Sequence, residues 1–246
     1  MTIVAESDTS PFTVGASGRT DPAAGRTGVL AMSKIVLFGA GGRAGVRVVA
    51  EAAGRGHEVT AVVRDPAKYA DLSGDGVRVI AGDVTDAAHV AEAAAGHDVA
   101  IQVAARLDVP SEEFYAAAAR ALAAGLARAG VSRLVALGIG SLLEVSPGVR
   151  LIDTPGFPVD ARAFSLGHAV EMEVFEKSAL DWVVLAPPPV FLDGEASRTG
   201  RYRIGGGQVP VSAEGDPAFS YADLAVALVD EVESPRHHRV QVAVSY

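Results

Sequence analysis

From Ser33 onward, short apolar runs rich in Val and Ile alternate with Ala-rich amphipathic stretches. Lys34–Phe38 (KIVLF) is apolar after its first residue, the pattern of a strand buried on both faces. Arg43–Arg55 then predicts a helix and His57–Val63 a second strand. Val77–Ala81, Val99–Val103 and Arg133–Leu137 predict three further strands, spaced by helices over Ala87–Ala94 and Glu112–Ala129. Ser111, directly after Pro110, is placed to cap the second of these helices. A Gly/Pro-rich loop from Gly138 to Val159 interrupts the alternation, which resumes with a helix over Ala161–Lys177 and a strand over Asp181–Leu185. Pro187, Pro188 and Pro189 end that strand, because proline supplies no ladder donor. Ser220 caps a last helix that runs to about Val232, with Asp223 at its third position, and Gln241–Val244 is a final strand. Strands alternating with helices predict parallel βαβ units. The expected fold is α/β, a doubly wound, mostly parallel sheet with helices on both faces, in a single domain over residues 33–246.

Where the first strand meets its helix, the chain reads Gly39-Ala40-Gly41-Gly42-Arg43-Ala44-Gly45. The spacing is GxxGxxG with a further glycine at Gly41. Gly39 and Gly42 permit a tight turn and a close approach of backbone to a pyrophosphate, and Gly45 lets the helix lie against the sheet. The unpaired N–H groups at the helix start then face the phosphates, which makes this the dinucleotide loop of a Rossmann-type fold. The second strand ends Val63-Arg64-Asp65-Pro66. An NAD-preferring site puts an acid at that strand end, on the ribose 2′-hydroxyl; here Arg64 takes the place and suits a 2′-phosphate. Asp65 reads as the cap of a helix that begins at Pro66, and Arg43 is a second phosphate candidate. The cofactor expected is therefore NADP(H), ahead of NAD(H). Asp83 and Val84, after the third strand, either border the adenine or only order their own turn.

Composition narrows the function classes. Of 246 residues, 49% are hydrophobic and 21% charged, and the net charge is −9 without a dense Lys/Arg block, which speaks against a nucleic-acid partner. The absence of cysteine removes disulfides, thiolate metal sites and a Cys nucleophile, and agrees with a reducing compartment. No apolar run reaches the ~20 residues of a membrane span. Residues 1–32 read as a disordered leader rather than a signal peptide, with Met32 as an alternative start. A cytoplasmic protein with a small-molecule substrate and no membrane partner is expected, and a homo-oligomer is left open. His237-His238 lacks a third ligand at suitable spacing, so no metal is expected. Arg198, Arg201 and Arg203 form either a solvated loop or a contact for an anionic substrate.

Together with the glycine loop, the stretches Val63-Arg64-Asp65, Gly82-Asp83-Val84, Gly140-Ser141-Leu142, residues 148–153, residues 198–203 and residues 235–238 carry a family resemblance. From Lys34 to Tyr246 the chain resembles the atypical short-chain dehydrogenase/reductases of the NAD(P)H-binding, NmrA-like group, above all the bacterial proteins named for NADH–flavin reductase activity. The resemblance implies a cofactor lying across the carboxyl edge of the sheet. It implies that Val103, Ala104 and Ala105 flank the cofactor and that Pro187 lies near the nicotinamide. Many members of the wider superfamily carry Tyr-x-x-x-Lys on the helix before the sixth strand. Here Phe164 stands at the Tyr position and His168 at the Lys position, so the usual proton donor is missing. Either hydride alone passes to a conjugated acceptor (flavin, quinone, enone or imine), or His168 serves as the acid; as an alternative, His168 is a partly exposed helix residue. Ser141 stands where the superfamily often has a substrate-binding hydroxyl. A non-catalytic NADP(H) sensor of the NmrA-like type is the second function class.

Overall fold

In the computed structural model, which describes residues 32–189, 192–210 and 218–246, the KIVLF run forms β1 (Lys34–Phe38) with every residue after Lys34 buried. The elements that follow are α1 (Arg43–Gly54), β2 (Glu58–Val63), β3 (Val77–Ala81), α2 (Ala87–Ala94), β4 (Val99–Gln102), α3 (Ser111–Ala129) and β5 (Arg133–Leu137). Then come β6 (Glu144–Ser146), β7 (Val149–Arg150), α4 (Val159–Lys177), β8 (Asp181–Ala186), β9 (Arg203–Ile204), α5 (Tyr221–Glu233) and β10 (Val240–Ser245). The sheet order is β3-β2-β1-β4-β5-β8-β10-β9. All neighbours are parallel except the short β9, which runs antiparallel to β10. The chain winds outward from β1 in one direction and then, through β4, in the other, so a crevice opens at the carboxyl ends of β1 and β4.

Alternate residues of each strand feed two cores. One face packs Ile35, Leu37, Val59 and Ala61 under Val48 and Ala52 of α1 and Leu224 and Leu228 of α5. The other packs Val36, Phe38, Ala100 and Leu134 under Val90 of α2, Leu122 and Leu126 of α3 and Phe175 of α4. Helices thus cover both faces, which is why the strands read as unbroken apolar runs rather than as half-buried alternation.

Several local readings differ. Residues 66–72 form a 3₁₀ turn rather than the start of an α-helix, and Asp65 caps it with no side-chain hydrogen bond. Ser111 is the first residue of α3 and not its cap: Pro110, extended at φ −56° and ψ 129°, takes that place, and its carbonyl accepts from Phe114 N at 3.0 Å. The Gly138–Val159 loop contains the β6–β7 hairpin, and β9 adds an edge strand; both are too short to leave a periodic signal. Of the 1–32 leader only Met32 lies among the described residues, and it is exposed.

His237 and His238 belong to the amino-terminal edge of the sheet. His237 Nδ1 lies 2.6 Å from Glu231 and His238 Nδ1 2.9 Å from Asp181, and Arg133 joins both carboxylates at 3.0 and 3.1 Å. These contacts staple α5, β5 and β8 together. Among the described residues no group of three or more His, Cys, Asp or Glu could hold a metal, and no helix is long and apolar enough to cross a membrane.

Candidate cofactor and substrate site

The glycine turn rises from the end of β1. Gly39 has φ +87°, and a Cβ there would fall 2.4 Å from the backbone nitrogen of Ala104, just past β4. A side chain at this position is barred twice, by the left-handed backbone and by the neighbouring strand. Gly42 donates to the Gly39 carbonyl at 3.0 Å and becomes the N-cap of α1, with no side chain bonding the helix end and no acid in the first turn. Val46 is the first residue to return a hydrogen bond to Gly42. The N–H groups of Arg43, Ala44 and Gly45 therefore have no helical partner and mark the positive end of the helix. A Cβ at Gly45 would lie 2.1 Å from the Gly39 carbonyl oxygen, so the helix is pressed onto its own turn. Gly41 has an ordinary backbone; a Cβ there would meet the ring of Tyr69, at 2.3 Å from Cζ.

Charged groups ring the outer side of this turn. Arg64, exposed at the end of β2, makes no ion pair among the described residues. Asp65 beside it holds only Lys68, at 3.5 Å. Asp83 accepts from Thr85 N at 2.9 Å and Thr85 Oγ1 at 2.7 Å. Burial pushes the Asp83 carboxyl upward, but these bonds and the nearby Arg106 and Arg64 outweigh it, so it sits below the usual carboxylate range. Asp83 thus orders its own turn while lying close to Arg64, and Val84 next to it is buried. Arg106 is committed to Asp108 through two bonds, and their pairing brings the Asp108 carboxyl down to about 2.

Toward the middle of the sheet, Val103 is buried, Ala104 half-buried and Ala105 exposed. The loops after β5 and β8 meet backbone to backbone: a Cβ at Gly140 would fall 2.4 Å from the carbonyl oxygen of Pro187, which is itself buried. Next to Gly140, the buried Ser141 donates to Ser165 of α4 at 2.7 Å, and Ser165 donates to the Ala161 carbonyl. His168, three residues beyond Ser165, is 5% exposed, so it is not a partly exposed helix residue. Its Nδ1 lies 3.0 Å from Glu171 Oε2, and the other oxygen of that buried carboxylate is without a partner among the described residues. Tyr115 of α3 stacks on the imidazole at 4.0 Å between centroids, and Phe164 meets it edge-on at 5.2 Å. Burial, then the Glu171 carboxylate, push the Tyr115 phenol well above its usual range, so it stays neutral. Ser141 and His168 are thus brought to the same stretch of α4 without touching each other. Glu171 and Ser165 went unmarked in the sequence, although each is three residues from His168, the spacing that puts side chains on one helix face.

A cavity of about 780 Å³ opens among the C-terminal loops, lined by Asp193, Thr199, Arg201, Tyr202, Arg203 and Tyr246 among others. Neither the glycine turn nor Ser141 nor His168 lines it. Its anchor is Asp223, which accepts from the backbone of Thr199 (2.9 Å) and Gly200 (2.7 Å) and from the hydroxyls of Thr199 (2.8 Å), Ser220 (3.1 Å) and Tyr246 (2.7 Å). Of the basic cluster read as a solvated loop or an anion contact, Arg198 is bound to Glu51 of α1 at 2.7 Å and Arg203 donates to the backbone of Tyr246.

Comparison with known proteins agrees with this geometry. The model of a family described as NAD(P)H-binding matches residues 39–235. The YwnB protein of Bacillus subtilis (strain 168), uncharacterised, is 34% identical over 215 residues, spanning 86% of this chain and 97% of its own. Among solved structures, a candidate exported protein from Burkholderia pseudomallei is 38% identical, with a TM-score of 0.76 over 87% of this chain and 100% of the other. A candidate NADH-flavin reductase from Streptococcus pneumoniae TIGR4 is 26% identical, with a TM-score of 0.72 over 87% and 99%. With residues 39–235 matched by the family model, the chain belongs to the NAD(P)H-binding family of Rossmann-fold, oxidoreductase-like proteins.

Proposed function

We propose that the protein is an NADPH-dependent reductase that passes hydride to a conjugated small molecule, with a flavin as the first acceptor to try. The observation that carries this reading is the combination of a bare, unpartnered helix start at Arg43–Gly45 with Phe164 in place of a proton-donating tyrosine. Reduced nicotinamide supplies a hydride, and the chain's task is to hold two flat molecules in contact and keep water away. The N–H groups of Arg43, Ala44 and Gly45 would receive the pyrophosphate, with Gly39 and Gly42 giving the clearance and Gly41 beside them in the turn. Arg64 would read the 2′-phosphate. Asp65 is the counter-argument, since it is not occupied by a cap bond; Lys68 at 3.5 Å offsets its charge. Val103, Ala104, Ala105 and Pro187 would line the nicotinamide end, and Asp83 and Val84 the adenine end.

Conjugated rings exchange their protons with water, so the hydride step needs no phenol. For an enone or imine acceptor, we assign the proton to His168, which Glu171 holds by Nδ1, and the acceptor's polar contact to Ser141. Zero cysteines fit action in the reducing cytosol. The imidazole wedged between Tyr115 and Phe164 equally suits a packing role and a non-catalytic NADP(H) sensor. A parallel titration with NADPH and NADH, followed by an acceptor panel, separates these readings. The expected result is NADPH bound at least about tenfold more tightly (about 1.4 kcal/mol) and oxidised in the presence of flavin, quinone or enone. Equal affinities remove Arg64 as a phosphate clamp. Tight binding without turnover on any acceptor favours the sensor.

A further inference from the structure

The extra glycine of the turn has a specific neighbour. The spacing that a dinucleotide loop needs is met by Gly39, Gly42 and Gly45, and Gly41 adopts no left-handed backbone that would demand glycine. Its side-chain space is filled by Tyr69: a Cβ on Gly41 would stand 2.3, 2.5 and 2.8 Å from Cζ, Cε1 and Cε2, the hydroxyl-bearing edge of the ring. Tyr69 sits at the kink of the 66–72 segment, at φ −131° and ψ 26°, and this segment leads the chain away from Arg64. Tyr69 is half-buried and packs against the core that includes α1, while the hydroxyl-bearing edge of its ring lies on the turn.

We infer that Tyr69 is a binding residue for the adenosine end of the dinucleotide, forming the wall of the subsite between the Gly41 turn and the end of β2. This inference rests on the cofactor reading above. A ribose whose 2′-position is read at the end of β2, and whose phosphates lie at the start of α1, must cross the space between Arg64 and Gly41. The Tyr69 ring borders that space with an apolar face for the sugar and a hydroxyl for its oxygens. Gly41 is then the partner that lets the ring come close, and the two positions act as a pair.

The test uses the full chain with Tyr69→Leu, which keeps an apolar group on the core but cannot reach Gly41, and Tyr69→Phe, which keeps the ring. The probes are NADPH and 2′,5′-ADP, the latter carrying only the adenosine end. Tyr69→Leu should weaken both by the same factor, about fivefold to tenfold, and Tyr69→Phe by much less, at unfolding temperatures close to wild type. Gly41→Ala should weaken both probes in the wild-type background and have little further effect beside Tyr69→Leu, the non-additivity expected of residues in contact. Unchanged or tighter binding of 2′,5′-ADP to Tyr69→Leu overturns the inference, as does additivity of the two substitutions. If the wild-type protein binds neither probe, the cofactor reading itself fails, a result distinct from a wild type that binds and a variant that binds equally well.

Discussion

Adding one methyl at Gly45 tests the backbone cradle directly. In Gly45→Ala the new carbon would lie 2.1 Å from the Gly39 carbonyl oxygen and 2.6 Å from that of Ala40. A carbon needs about 3.3 Å from such an oxygen, so the start of α1 or the turn must yield by about 1 Å. Overpacking of this kind costs about 1–3 kcal/mol, which in a domain of this size lowers the unfolding temperature by about 2–12 °C. The larger effect falls on the ligand. A shift of about 1 Å stretches a hydrogen bond of ~2.9 Å beyond its useful range. Losing one bond to a charged phosphate costs about 1.5–3 kcal/mol, or roughly tenfold to a hundredfold in Kd for NADPH. Gly54→Ala is the control, on the same helix, where a Cβ meets nothing within 4 Å. It should raise stability by about 0.5–1 kcal/mol and leave Kd alone. Thermal unfolding and an NADPH titration by calorimetry give both quantities for both variants. A Gly45→Ala protein that is less stable but binds NADPH as wild type does would refute the cradle; one unchanged in both would refute the close approach.

Three further outcomes follow from the same geometry. Asp223→Ala strips the 199–200 backbone of its acceptor, and stability should fall by about 2–4 kcal/mol, read as a lower unfolding temperature with early proteolysis within residues 193–203; a wild-type melting curve would remove Asp223 as the anchor. For Asp83, Asp223 and Glu51, burial raises the carboxyl but hydrogen bonds from Thr85, from Tyr246 and Thr199, and from Arg198 and Arg55 outweigh it, so the folded pKa lies below the unfolded value of about 4. Their stabilisation is therefore complete above about pH 4 and lost as pH falls through the folded values; acid unfolding should begin below pH ~4, and Asp223→Asn should flatten that limb in a urea titration across pH. His168→Gln keeps a donor for Glu171 but removes the titrating proton, and turnover of an enone should drop by about a hundredfold at unchanged NADPH affinity, while flavin turnover persists. Unchanged enone turnover would take His168 out of the mechanism.

The central strands were legible because burial on both faces makes them apolar runs, and the Gly39–Gly45 turn because Gly39 and Gly45 sit where backbone meets backbone. What could not be read were contacts that join distant parts of the chain. Tyr69 on Gly41, Arg198 on Glu51 and Tyr246 on Asp223 have no spacing to announce them, since loops and the sheet's far edge bring them together. Asp65 holds the cap position the sequence gives it, but without the side-chain bond of a cap. Asp-Pro at the start of a turn suggests a cap, but the segment closes as a 3₁₀ turn in which the carboxylate reaches Lys68 instead of a backbone N–H. Ser111 is not the cap because the chain is still extended one residue earlier, at Pro110 with ψ 129°, so Ser111 is already the first residue of the helix.

The two edges of the sheet are built by different means, and the difference bears on function. At the amino-terminal edge, charged side chains do the joining: Arg133, Asp181, Glu231, His237 and His238 form a connected set of ion pairs. At the carboxyl edge the joints are glycines pressed against backbone or ring, Gly39 on Ala104, Gly41 on Tyr69, Gly45 on Gly39, and Gly140 on Pro187. A site made this way presents the free N–H groups of a helix start, which suits an anionic ligand. The cavity among the C-terminal loops is built differently. Beside it, Asp223 is a hub of hydrogen bonds that holds loop, helix and last strand together. On the proposed reading, selectivity at the carboxyl edge would rest on a few side chains: Arg64 and Tyr69 for the adenosine half, Ser141 and His168 for the acceptor.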